Sequence, residues 1–112
     1  FRYQEEQAEI ERWLGLIRTA APISLELACE VAELARLIKG YGDTFKRGLG
    51  NYRRIAAEIV EPALAGRLSP KAACDAVASA RVAALADPEG ESLSRTLASV
   101  AASGAVLQRA AE

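Results

Sequence analysis

Residues 36–55 read RLIKGYGDTFKRGLGNYRRI, and the way this stretch divides decides the fold. On its N-terminal side Leu27, Ala28, Val31, Leu34, Ala35 and Ile38 recur at helical spacing. On its C-terminal side Phe45, Leu49, Tyr52, Ala56 and Ile59 follow at intervals of four, three, four and three, a single helical stripe. Gly40-Tyr41-Gly42 separates the two patterns. Glycine loses the most backbone freedom on folding, so a glycine-dense segment marks unusual backbone angles or a close backbone approach. The spacing therefore predicts a helix ending at Gly40, a short break, and a second helix capped by Asp43 or Thr44. Gly48 and Gly50 fall inside that second helix, where each costs about 1 kcal/mol relative to alanine. Glycine in such places is expected to let another backbone or a ligand come near.

Outward from this turn the chain stays helical. A first helix is expected from Tyr3 to Ala21, with Ile10, Trp13, Leu14 and Ile17 on its apolar side and Pro22 as its stop. Trp13 reads as core, and Glu5, Glu6, Glu9 and Glu11 read as a solvated face. Ser24 is the expected N-cap of the next helix, with Glu26 and Glu30 near its start and Arg36 and Lys39 near its end, as the helix dipole favours. Downstream, Pro62 and Gly66 are expected to break or bend the chain. Ser69-Pro70 is a start signal, an N-cap with proline at the first helical position. A fourth helix runs through Ala73, Val77, Ala80 and Ala84 to the break at residues 87–90. A fifth carries Leu93, Leu97, Val100, Gly104 and Leu107. No alternating strand pattern and no internal repeat is present. The expectation is all-α: about five helices in a bundle or orthogonal array, without a sheet.

One domain is the reading of 112 residues. Such a chain buries roughly two thirds of its unfolded surface, enough for a modest core. The net charge of −1 gives no general pull toward nucleic acid or anionic lipid, so neither is an expected partner. No apolar run has the length of a membrane span and no signal peptide is visible, so the expected compartment is the cytoplasm. There is no histidine, and Cys29 and Cys74 are far apart, each in a helical pattern. Both are expected to be buried thiols packed as small apolar groups. The start at Phe1, already inside a helical pattern, suggests a piece of a longer subunit.

From Arg36 to Arg54 six cations face the single anion Asp43. Three readings compete. The cations are solvated on a plain helix–helix turn, or Tyr41, Tyr52, Arg36, Arg47 and Arg54 form a protein contact. In the third reading the chain is a small-anion module, and the amides at the start of the third helix, with Thr44, Lys46 and Arg47, hold a carboxylate or a phosphate such as that of coenzyme A. A dinucleotide fingerprint is excluded, because Phe45 stands where GxGxxG needs its third glycine and a helix precedes. A P-loop lacks its Gly-Lys-Ser/Thr ending. No nucleophile has an activating base near it in sequence, so no catalytic residue is assigned, and Asp43 suits a cap or an ion pair with Arg47. The candidate contact or anion site is Arg36, Lys39, Tyr41, Asp43, Thr44, Lys46 and Arg47, with no metal.

The run from Arg36 to Ile55 resembles a segment of the indolepyruvate ferredoxin oxidoreductase family, in the C-terminal helical region of its β-type subunit and of the fused forms. Ile23-Ser24-Leu25 and Glu30-Val31-Ala32 lead into it, and Ala84-Leu85-Ala86-Asp87-Pro88-Glu89-Gly90 also fits, so the similarity covers most of the chain. KGYGDT is its specific element and the last helix its weakest part. In that family the position of Phe45 is often histidine, which argues against a catalytic role there. The resemblance implies an assembly that oxidatively decarboxylates aryl pyruvates and passes electrons to ferredoxin, using thiamine diphosphate and iron–sulfur clusters. This chain carries no signature of either cofactor. What the resemblance implies here is an accessory domain, not catalytic by itself, that contacts other domains or subunits. Self-association of the chain is a further option. Lys39, Tyr41, Asp43, Thr44 and Arg47 match the family segment.

Overall fold

In the computed structural model the backbone is described for residues 2–111 and the side chains for residues 3–103. The elements are α1 (Arg2–Ala20), α2 (Leu25–Glu33), a 3₁₀ turn (Leu34–Leu37), α3 (Gly42–Ile55), a π turn (Ala56–Val60), α4 (Glu61–Leu64), α5 (Pro70–Ala86) and α6 (Glu91–Ala111). Residues 42–64 form one uninterrupted rod, so the described chain has five rods and no strand. The all-α expectation is borne out. Phe1 lies outside the described residues, as do the burial of Gly104 and the side chain of Leu107.

The caps at Ser24 and Ser69 form as expected. Ser24 Oγ accepts from the Leu27 amide and Ser69 Oγ from the Ala72 amide, each at 3.1 Å, satisfying donors that a helix start leaves open. Pro70 occupies the first turn of α5.

Three local expectations are corrected. The second helix does not run to Gly40: it tightens into the 3₁₀ turn and becomes extended at Ile38. Gly40 has φ +81° and Gly42 φ +57°, left-handed angles that side chains resist, so Gly40 turns the chain rather than capping the helix. Nor does Asp43 or Thr44 cap α3. The helix begins earlier, at Gly42, with Tyr41 as N-cap and no side-chain cap bond, which places Asp43 and Thr44 already in the first turn. Finally, Pro62 does not break the chain. The Glu61 amide reaches back five residues to the Ala56 carbonyl, and this π turn carries the rod through a proline that has no amide to donate. The rod ends at Gly66, where Gly66 N–H bonds to Ala63 O (3.1 Å) and Arg67 N–H to Pro62 O (2.9 Å), the Schellman pattern.

The core is assembled from one stripe of each of the last four rods, with Ala20 of α1 buried against them. Leu27, Val31 and Leu34, then Tyr52, Ile55, Ile59 and Val60, then Ala73, Val77, Ala80 and Ala84, then Leu93 and Leu97 are all buried. α1 lies along α2, α2 on α5, and α5 on α6, while the 42–64 rod crosses α5 and α6. Alanine on α5 permits that closeness. Cys74 is buried as expected, and burial pushes its thiol pKa up. Cys29 is exposed, contrary to expectation. It sits one residue past Ala28, and at about 100° per residue that step carries it off the Leu27–Val31 face.

Candidate functional site

The 3₁₀ turn, the Gly40–Gly42 loop and the start of α3 carry the seven candidate residues. They do not act as one group. Arg36 is exposed and pairs with Glu33 of its own turn at 3.8 Å. Arg47 does not pair with Asp43: its guanidinium donates to Glu89 at 3.1 Å, across to the α5–α6 connection. Tyr41 is 86% exposed between the two left-handed glycines. Lys39, Asp43, Thr44 and Lys46 are exposed around it, and neither lysine has an ion pair among the described residues. The Thr44 methyl closes over Gly40, 2.9 Å from where a β-carbon there would stand.

Two of the remaining cations serve the fold. Arg54 donates to Ser94 Oγ at 3.1 Å, and buried Asn51 donates to the Pro88 carbonyl at 3.1 Å. With Arg47 these residues form a polar stripe at positions 47, 51 and 54, one turn apart, which clamps the 87–90 connection and the first turn of α6. Asp87 finishes the clamp by accepting from the Ser92 amide at 3.1 Å. Gly90 (φ +93°) leaves only 3.3 Å between a β-carbon and Asn51 Oδ1.

Arg53 turns the other way, to Glu9. Its Nε donates to Glu9 Oε1 at 2.7 Å, and Arg12 reaches the same oxygen at 2.9 Å. Glu9 is therefore buried, which corrects the reading of α1's glutamates as one solvated face. Burial alone would raise its pKa, but the two arginine hydrogen bonds and their charges win and hold the carboxyl below its usual range. The signal was there: Glu9 lies four residues before Trp13, on the turn that faces α3. Trp13 is half-buried, and its indole N–H donates to the Val31 carbonyl at 3.0 Å. Beneath the Glu9 pair, burial and then the Glu9 charge push Tyr52 up to about 12.

A groove of about 310 Å³ opens between the first half of α1 and the 35–49 segment, with Ile10, Trp13, Ile38, Phe45 and Leu49 in its lining. A second cavity of about 480 Å³, lined by Arg12, Tyr52, Arg53 and Glu61, lies beside the π turn. Composition pointed to neither, because both arise where α1 meets α3, and that pairing is not a local property.

The profile of a family of unknown function, DUF6537, matches residues 1–58, just over half of the chain. The chain belongs to DUF6537. No curated protein and no solved structure matches it. The matched part of this DUF6537 chain runs from α1 through the loop and α3 into the π turn, so it contains both walls of the 310 Å³ groove and the Glu9–Arg53 pair. Among its described residues there is no group of three or more His, Cys, Asp or Glu able to hold a metal ion. An exposed Cys29 and a buried Cys74 do not fit an iron–sulfur cluster, which takes four such ligands. The small-anion reading gains no second feature. No buried polar side-chain atom lacks a partner among the described residues, and Asp43 stands in the first turn that would meet the anion.

Proposed function

We propose that this chain is an accessory helical domain of an indolepyruvate-type 2-oxoacid:ferredoxin oxidoreductase and that it contacts another domain or subunit of that assembly. The observation that carries the reading is the loop tip. Tyr41 is 86% exposed, flanked by Lys39 and Lys46, which have no ion pair among the described residues, and sits inside KGYGDT, the most specific part of the resemblance. Exposed tyrosine on a defined backbone supplies contact area at low entropic cost. The base under it is fixed by Thr44 over Gly40, by Gly48 against the 3₁₀ turn, and by the Arg47, Asn51 and Arg54 clamp.

Oxidative decarboxylation of aryl pyruvates would then belong to the whole assembly, with thiamine diphosphate and iron–sulfur clusters held on other domains. Its compartment would be the cytoplasm; no helix among the described residues is long and apolar enough to cross a membrane. The test is to mix the purified 112-residue chain with the remainder of such an enzyme and separate the mixture by size. Co-elution is expected, and separate elution at micromolar concentration would remove the proposal.

A further inference from the structure

The groove between α1 and the 35–49 segment has walls fixed by their own bonds. The Glu9–Arg53 pair, itself part of the lining, ties α1 to α3. The Trp13 indole is anchored to the Val31 carbonyl of α2. Ile10, Trp13, Ile38, Phe45 and Leu49 make the lining mainly apolar, with an aromatic ring on each wall, and Ile10 is 44% exposed. A cleft of about 310 Å³ lined in this way, with few polar groups, has the form of a small-molecule site. Its charge has one sign once the internal pair is set aside. Glu9 and Arg53 cancel, whereas Glu5 and Glu6 add negative charge to the lining. Glu5 is exposed and has no ion pair among the described residues. Arg12 and Lys46 line the adjoining hollow rather than this one.

Carboxylates beside aromatic rings are the chemistry that recognises organic ammonium groups, through charge and cation–π attraction. We propose that the groove binds a small organic cation, its apolar body seated between Trp13 and Phe45 and its ammonium group held by the charge of Glu5 and Glu6. An anion of the same shape would meet two glutamates, and the one base in the lining, Arg53, is engaged by Glu9. A neutral analogue would keep the apolar contacts and lose the charge term. Walls already fixed by Trp13 and by the Glu9–Arg53 pair leave little to be ordered on binding. The site is separate from the loop tip and needs no other domain of the parent assembly.

The chain has one tryptophan, and because Trp13 lines the groove, its emission reports occupancy directly. The probes are phenylbutylamine, phenylbutanol and phenylbutyrate, which share an apolar body and differ in charge. Each is titrated into the 112-residue chain while Trp13 fluorescence is followed. The amine should give a saturable change at millimolar concentration and bind about tenfold more tightly than the carboxylate, with the alcohol between them. Glu5→Lys, at an exposed position, should weaken the amine by about fivefold and leave the alcohol unchanged. Ala35→Phe, from an exposed alanine of the lining, should fill the groove and weaken amine and alcohol alike by at least about tenfold. Circular dichroism checks that both variants fold, and the Glu5 variant decides the matter if the Ala35 variant does not. A chain whose Trp13 emission does not saturate with the amine overturns the proposal. So do equal affinities for the three probes, an amine affinity indifferent to Glu5→Lys, or saturation by a Leu/Lys amphipathic peptide but not by the amine.

Discussion

Gly48 and Gly50 are two residues apart on α3 and face different surroundings. A β-carbon at Gly48 would lie 2.1 Å from the Leu37 carbonyl oxygen, in the backbone of the 3₁₀ turn, whereas one at Gly50 would meet nothing within 4 Å. Gly48→Ala should therefore cost about 1–3 kcal/mol, as overpacking against backbone does, despite alanine's higher helix propensity. Gly50→Ala should gain about 0.5–1 kcal/mol. Thermal melts should move in opposite directions, by several degrees each; a rise for both would refute the close approach of α3 to the turn. The sequence announced that a glycine was needed here but not which one, because that depends on where the 3₁₀ turn places Leu37. Glu9 supplies a second test. Its carboxyl pKa is lowered on folding, so its contribution is present above the unfolded value near 4.5 and is lost as pH falls through the lower folded value. Glu9→Gln should cost about 1 kcal/mol at pH 7, and the gap in melting temperature from wild type should narrow as pH falls below 4.5. A gap unchanged across that range would rule out the charge-linked role of Glu9.

At the level of elements, the 42–64 rod organises the molecule through two stripes. Its apolar stripe is legible because it repeats the helical period, and the caps at Ser24 and Ser69 are legible because capping is local. The polar stripe at 47, 51 and 54 repeats the same period yet reads as surface, since its partners lie some forty residues away at Pro88, Glu89 and Ser94. The π turn is invisible for another reason: Pro62 signals a break, and only packing of Ile59, Val60 and Ala63 keeps the rod continuous. The two stripe partners should respond differently to truncation. Asn51→Ala leaves the Pro88 carbonyl short of its buried donor and should cost about 1–2 kcal/mol. Arg47→Ala breaks an exposed pair and should stay within about 0.5 kcal/mol of wild type. Chemical denaturation of both variants checks the contrast, and equal losses would mean that the clamp is electrostatic rather than a buried hydrogen bond.

Across the whole molecule the cations of residues 36–54 divide by direction. Arg47 and Arg54 hold the α5–α6 connection, Arg53 holds α1 through Glu9, and Arg36 stays on its own turn. Lys39 and Lys46 flank Tyr41 and point outward. The apolar groove a few residues away belongs to the meeting of α1 and α3, and no single segment foretells it. This division is the central claim: part of the basic segment builds the fold, and the part left over meets a partner. The most direct measurement is calorimetric titration of the parent enzyme's remaining domains with wild-type chain and with a Lys39→Ala, Tyr41→Ala, Lys46→Ala triple variant, alongside thermal melts of both. The account predicts that the variant melts within a few degrees of wild type and binds at least about tenfold more weakly. Equal affinity for the two chains would contradict it.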